Sequence, residues 1–400
     1  MLRKTALILL LVASALVVEA KKVVKRDSIT IFGRVMCEGK PMADVPVSDG
    51  VHIVKTDSTG RYTIASHKFQ GVVFVITPSG YEPECKKRIL PQFWSLLCKK
   101  REVAEQHDFH LCKREQTNHR ILFMSNLYLH NSNDDLLQFK KNTIPAACKI
   151  SQEVGDSTAV YTLLLGDISN CSHWYSREFD VSDAVSLHAS LRYPTMLYTV
   201  MGDQDNDGAV PGTGLTDYYA ERTYVYTCGP KYYSMNIGDV HYIVLDNTVF
   251  RNEAGKGKYP QEIVGKRNYE RFVTSDQLDW LRRDLALVKD KSTPIVVCMH
   301  QTAFTSNSKH RISKRFSKPE HLDSLTNCFT AYSNVHFVTS GSMDRKVSRA
   351  KELPNIVEHA VASTSGDKWK TGYNGYEQIN PAGVKAGFEV FDVKIGRAHV

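Results

Sequence analysis

Residues 160–170 read VYTLLLGDISN, and residues 196–205 read MLYTVMGDQD. Each is a short, unbroken apolar run that stops at a Gly-Asp pair, Gly166-Asp167 and Gly202-Asp203. Apolar runs of this length, bounded by turn residues, are strands covered on both faces. The Gly-Asp pairs put a carboxylate at the C-terminal strand end, where open α/β sheets usually bind ligands. Moving outward, Ile121–Leu129, Pro294–Met299 and residues 335–340 (VHFVTS) repeat the pattern. Helical stretches fall between them, at about Asp134–Val154, Pro319–Tyr332 and QLDWLRRDLALV. The last follows Thr274-Ser-Asp-Gln277, a capping-box start. Residues 232–245 read as a hairpin around Gly238-Asp239. Alternating strands and helices predict an α/β domain over residues 119–365, a layered β-sandwich flanked by helices.

Upstream, residues 29–113 predict an all-β sandwich module. Ile29, Ile31 and Val35 fit a half-buried strand, and Gly39-Lys40-Pro41 and Asp57-Ser-Thr-Gly60 are turn signals. Pro46 predicts an edge position for its strand, because proline cannot donate to a ladder. The VPVSDG and TDSTGRY segments are similar to those of carboxypeptidase-regulatory-like, or transthyretin-like, modules. Such modules serve as spacers or binding units, and no catalytic constellation is visible here.

The chain begins with Arg3 and Lys4, an apolar run Ala6–Val18 and small residues at Val18 and Ala20. This is the pattern of a signal peptide over residues 1–20, with a membrane anchor as the alternative. No later stretch is apolar enough to span a bilayer, so an exported protein is expected: periplasmic, cell-surface or extracellular. At 400 residues, with 42% hydrophobic and 24% charged residues, the chain suits a soluble protein of two or three domains. The net charge of +8 is modest, and Lys21, Lys22, Lys25 and Arg26 read as a solvated linker. No basic stripe interleaves with aromatics, so no nucleic-acid partner is expected. Nine cysteines without a CxxC pair argue against a zinc ribbon. Export permits a disulfide among Cys85, Cys98 and Cys112, whereas Cys298 reads as a buried small hydrophobe.

The strand ends read SNLYLH (125–130), LGDISN (165–170), MGDQD (201–205), CMHQ (298–301) and SGSMD (340–344), in that order. This succession resembles the calcineurin-like metallophosphoesterases, whose signatures are D-x-H, G-D-x-x-D, G-N-H-[D/E], a lone H and G-H-x-H. Residues 228–247, CGPKYYSMNIGDVHYIVLDN, are similar to the segment closing that family's second sheet. A secreted bacterial subgroup also carries such a β-module first and a β-rich domain last. The resemblance implies a metallophosphoesterase-like fold and two-metal hydrolysis of phosphate esters, with two cations activating a bridging water.

Matched position by position, Asn126 and Tyr128 replace the Asp and His of the first signature. Asp167 keeps the bridging position, and Asn170 replaces the second Asp. Asp203 stands for the ligand Asn, Gln204 for the catalytic His, and Asp205 is kept. His300 is kept, while Ser342 and Asp344 replace both His residues of the last signature. The expected metal ligands are therefore Asp167, Asp203, His300, Asp344 and Asn126, with Asn170 and Asp205 behind them. Asp203 and Asp344 read equally well as loop residues bonded to backbone. An amide does not titrate near neutrality, so Gln204 removes an acid contributing roughly a hundred- to ten-thousand-fold. Losing imidazoles disfavours zinc, and an oxygen-rich set suits one hard cation, manganese, magnesium or calcium, rather than a two-metal centre. Two readings follow. One is a pseudo-phosphoesterase binding a phosphate ester, glycan or protein ligand. The other is an active hydrolase of phosphomonoesters or phosphodiesters with an altered metal site.

His130 reads as structural, and His173 and Trp174 as loop packing or ligand contacts. Asp205-Asn-Asp-Gly208 lacks the spacing of a calcium loop. Residues 366–394 are expected to begin a further β-domain. One codon choice for Ile395–Val400 (IGRAHV) coincides with a commonly used sequencing adapter, so this tail is expected to be adapter-derived and the natural chain to continue.

Overall fold

A computed structural model describes residues 30–85, 89–131, 133–155, 158–252, 268–306, 312–314, 317–341, 346–349, 352–364, 371–374, 377–379, 387–394 and 397–399. The expected signal peptide, Ser342 and Asp344 lie outside the described residues, as does most of the stretch 365–386.

The N-terminal module is a sandwich of two sheets. One is built on Thr30–Cys37, which pairs with Arg61–Ala65, Phe109–Lys113, Lys40–Pro41 and Glu105–Gln106. The other runs Ile53–Lys55, Pro46–Ser48, Val72–Val75, Trp94–Leu96. Arg61–Ala65 alternates exposed and buried, as a strand with one wet face must. The turn at Asp57–Gly60 closes because the Asp57 carboxylate accepts from the amides of Thr59 (2.8 Å) and Arg61 (3.0 Å). Pro46 does not mark an edge. Its strand is flanked on both sides, and proline is tolerated because it is the first residue of the strand, where only its carbonyl is used, by Ile76 N at 2.9 Å. No disulfide joins any of the nine cysteines, and Cys298 is fully buried in its strand.

The central domain stacks two sheets. In the first, Met196–Val200, Ala159–Leu165 and His119–Met124 run parallel, and Glu389–Lys394 pairs antiparallel with His119–Met124. In the second, the hairpin Tyr233–Ile237 and Val240–Val244 leads into parallel strands Ile295–Met299, Val335–Ser340 and Ile356–Val361, edged by Lys346–Arg349. The parallel strands are buried throughout or nearly so, as sheets covered on both faces require. Phe391 meets Phe123 edge-on at 4.8 Å, and Arg120 grips Asp392 through Nε at 2.6 Å and Nη2 at 2.7 Å. Residues 389–394 are thus part of the central sheet, which corrects the boundary placed at residue 365. Arg397–His399 pairs in turn with Glu389–Lys394.

Two helices depart in detail from their sequence patterns. The first runs as Asn133–Gln138, a π turn Phe139–Thr143, then Ile144–Gln152. Pro145 has no N–H to give, so the hydrogen-bond ladder cannot continue at its normal spacing there; Ile144 N bonds Phe139 O instead. Helix Ser275–Leu285 begins after Thr274 as predicted, but Thr274 makes no side-chain cap. Gln277 is turned into the core, where it accepts from Asp246 N and donates to Asp246 O, both at 2.8 Å.

Module and central domain share one hydrophobic core. Trp280 is fully buried, lies against Phe74 and donates to Ser48 Oγ at 3.0 Å. Asn236 N bonds Thr77 O at 2.9 Å, and Tyr232 Oη donates to Gly50 O at 2.7 Å. Phe93 packs on Tyr233 at 4.8 Å, and Gln116 donates to Tyr161 Oη at 2.8 Å. Gly229 is required at this seam, since a Cβ there would sit 2.4 Å from the Trp94 ring. The module is therefore fastened to the domain it precedes and is no loose spacer.

Candidate metal centre

Three strand ends converge because two glycines leave room. Gly166 has φ +85°, and a Cβ on it would come 2.5 Å from His300 Nδ1. A Cβ on Gly202 would fall 2.3 Å from both the amide nitrogen and Oδ1 of Asp167. Asn126, Tyr128 and Asp167 all take left-handed backbone, with φ of 48°, 48° and 54°. Non-glycine residues rarely sit there, and such strain gathers at functional sites. Asp205 supplies the restraint. Its carboxylate accepts from the amides of Asp167, Ile168 and Gly202 at 2.9 Å and Ser169 at 3.3 Å. Burial and the nearby Asp167 charge push the Asp205 pKa up, against the pull of these amide donors.

At the point of convergence lie Asp167, Asp203 and His300, with one ligand atom of each within 4.8 Å of the others. His300 Nε2 is 3.0 Å from Asp203 Oδ1 and 3.4 Å from Asp167 Oδ1. Its other nitrogen, Nδ1, is 2.8 Å from Leu165 O and must donate to that carbonyl, which aims Nε2 at the carboxylates. Burial alone would lower the His300 pKa, but the two carboxylates outweigh it and raise it to about 9. Burial and the Asp203 charge lift Asp167 to about 6, with His300 opposing. A buried and a half-buried carboxylate facing one imidazole leave net negative charge, which a cation offsets. Asp167 Oδ2 is buried and makes no hydrogen bond of good geometry, although the Tyr128 hydroxyl interacts with this carboxylate. An orphaned carboxylate oxygen beside an oriented imidazole fits a metal ligand set. These three groups suffice for one cation, and two acidic oxygens with one nitrogen accord with a hard or borderline ion.

The remaining predicted positions have other employments. Asn126 does not offer its nitrogen to the centre; Nδ2 donates to Gly341 O and Ser363 Oγ, both at 2.9 Å. The amide nitrogen thus ties the first strand end to the last, and the ligand reading rests on the amide oxygen, which these bonds do not use. Asn170 caps a short 3₁₀ turn by accepting from Ser172 N at 3.1 Å. Tyr128 is buried, and burial followed by the Asp167 and Asp203 charges raises its pKa far above that of a free phenol, so it stays neutral. Gln204 donates from Nε2 to Asp203 Oδ2 at 2.8 Å and accepts the Cys171 thiol at 3.4 Å. Asp203 is a group of the centre and is bonded by side chains, which answers the reading of it as a mere loop residue. His130 is buried and stacks with His173 at 4.3 Å, and Trp174 donates to Ser169 Oγ at 2.8 Å, so both pack the loop. Asp207 accepts from Tyr175 Oη and belongs to no calcium loop.

Two contributors have no signature in the sequence. Gln301 Nε2 lies 3.2 Å from Asp203 Oδ1, and Asn247 clasps the same loop by donating to Gln301 O (2.7 Å) and accepting from Gln301 N (2.9 Å). The adjacency of Gln301 to His300 was a hint; Asn247, 54 residues away, gave none.

With this geometry in place, the comparisons with known proteins are informative about the module. Residues 29–114 match the family described as N terminal of calcineurin-like phosphoesterase. The match covers the N-terminal module alone. No curated protein matches the chain. Among solved structures it is similar to a dimetal phosphatase from Danio rerio, at 10% identity and TM-score 0.43 over 69% of this chain and 92% of that one. It is also similar to PhoD, at 13% identity and TM-score 0.42 over 80% and 70% of the two chains. A third is the purple acid phosphatase PPD1 from yellow lupin seeds, at 12% identity and TM-score 0.41 over 88% and 65%. The metal-centre geometry is independent of these likenesses.

Proposed function

We propose that this is an exported calcineurin-like phosphoesterase homologue that no longer hydrolyses phosphate esters and uses its old cleft to hold one divalent cation with a ligand or partner. The observation that carries this reading is Gln204. The position that the resemblance assigns to the proton-donating histidine holds an amide. That amide is fixed by Asp203 on one side and the Cys171 thiol on the other. It cannot deliver a proton to a leaving oxygen.

Asp167, Asp203 and His300 would hold the cation, manganese, magnesium or calcium, which when bound would supply positive charge for an anionic ligand group. The Leu165 carbonyl fixes the His300 tautomer, Gln301 and Gln204 hold Asp203, and Asp205 sets the loop carrying Asp167. The second reading, a rewired hydrolase, is favoured by the orphaned oxygen of Asp167 beside an oriented imidazole.

Metal analysis of the purified chain, calorimetric titration with manganese and zinc, and assays with nitrophenyl phosphate mono- and diesters separate the two. We expect one manganese site, lost in Asp167→Asn, and no metal-dependent turnover. Two tightly bound metals, with turnover abolished by Asp167→Ala, would establish the hydrolase instead.

A further inference from the structure

The outer face of the module's larger sheet carries an arrangement that packing does not explain. Arg34 and Arg61 are direct cross-strand partners in the antiparallel pair Thr30–Cys37 and Arg61–Ala65, and both are exposed. Like charges directly opposite each other on one sheet face are destabilising. Among the described residues neither guanidinium forms an ion pair with a carboxylate. Two carboxylates are nearby, neither within ion-pair distance of a guanidinium: Asp57, on which the Arg61 charge acts, and Asp108, which lines the same cavity. Asp57 accepts from Thr59 and Arg61 amides in its turn, and Asp108 accepts from Arg34 N at 2.8 Å and Gln106 Nε2 at 2.9 Å. Two residues along the same strands, and so on the same face, Phe32 is opposite Thr63 on one side and Gln106 on the other. Phe32 is 39% exposed, which is unusual for a phenylalanine in the middle of a strand. Phe32, Arg34, Arg61, Thr63, Gln106 and Asp108 line an open cavity of about 500 Å³, in the size range of small-ligand sites.

We propose that this cavity is a binding site for an acidic saccharide. The paired guanidinia match a carboxylate or sulfate group, for which arginine's planar fork is suited. The exposed Phe32 ring offers an apolar face to a sugar ring, and Thr63 and Gln106 offer hydrogen-bonding groups for hydroxyls. The separation of a charged end from a flat apolar surface a few residues away fits a ring that bears an acid. The site is on the face of the module away from the seam with the central domain and does not involve Asp167, Asp203 or His300.

The test titrates the full chain calorimetrically with a trisaccharide of galacturonic acid, a neutral trisaccharide of galactose, trimeric glutamate and inorganic sulfate. The acidic trisaccharide should bind, and Phe32→Ala and Arg61→Gln should each weaken it roughly tenfold or more. The neutral sugar, the peptide and sulfate should each bind at least about tenfold more weakly. Asp167→Asn should leave the titration unchanged, so that failure here is separable from failure of the metal-centre reading. Arg61→Gln should also raise the urea midpoint of the unliganded chain, because it removes the facing charges. No binding of the acidic trisaccharide, equal binding of the neutral sugar, the peptide or sulfate, or indifference to both variants would each overturn the proposal.

Discussion

Gly202 is the residue on which the centre turns. Its missing Cβ is what allows Asp167 to lie against the next strand end, with 2.3 Å available where a methyl group would need far more. The blocking atoms are backbone and a carboxylate held by neighbours, so nothing flexible can give way. Gly202→Ala should cost about 1–3 kcal/mol of stability and, by displacing Asp167, abolish cation uptake. Urea denaturation and a manganese titration check the two effects; a variant that keeps its cation affinity would show that the three strand ends need not meet this closely. At this scale the sequence was readable only in part. Asp167, Asp203 and His300 were picked out by position at the ends of apolar runs and are together in space. For Asn126 a residue type gives the chemistry of the side chain but not its direction, and the direction is set by Gly341 and Ser363, more than two hundred residues away.

Among elements, strands were more legible than helix ends. The buried strands lie where their apolar runs place them, except that the first ends at Met124 and not at Leu129, and Ser342 to Asp344 lie outside the described residues. The capping-box reading of Thr274 and Gln277 located the helix start yet misassigned the glutamine. A local pattern has no knowledge of Asp246, whose backbone N–H and C=O leave the sheet unpaired and need a partner in a buried place. Gln277 answers both. Gln277→Leu keeps the bulk and removes both bonds, leaving two buried backbone groups unsatisfied. The expected loss is about 2–4 kcal/mol, read as a lowered urea midpoint with unchanged slope; a shift within error would mean that Asp246 finds other partners. Pro46 makes the same point for strands: its missing N–H restricts where in a strand it can stand, and being first in the strand satisfied that restriction as well as an edge would.

For the whole molecule, the seam around Trp280 predicts that module and central domain unfold together. Acid should weaken that single transition. His188 donates from Nδ1 to Ala184 O, and His119 from Nδ1 to Gln116 O while its Nε2 accepts the Tyr242 hydroxyl. Burial lowers the pKa of each to about 4. Both imidazoles are neutral in the folded chain at any pH above that value, whereas in the unfolded chain they take up protons below about 6.5. Stability from this source is complete above pH 6.5 and falls as pH drops from 6.5 towards 4, by about 3 kcal/mol per imidazole over the window. Urea midpoints at pH 7 and pH 5 measure the slope, and His188→Phe should reduce it; an unchanged slope would exonerate His188. The sequence disclosed both domains but not their union, since the seam joins residues such as Ser48 and Trp280 that no local pattern relates.

The pairing of Glu389–Lys394 with His119–Met124 also has a bearing on how the chain is made. The first strand of the central sheet begins at His119, whereas its neighbour on one side begins only at Glu389. At ribosomal rates of about 5–20 residues per second, the interval is on the order of tens of seconds. Throughout it one edge of an apolar strand has nothing to pair with, the condition that invites association with other chains. A nascent chain of this kind has reason to be shielded by a chaperone until Glu389–Lys394 arrives to displace the guardian.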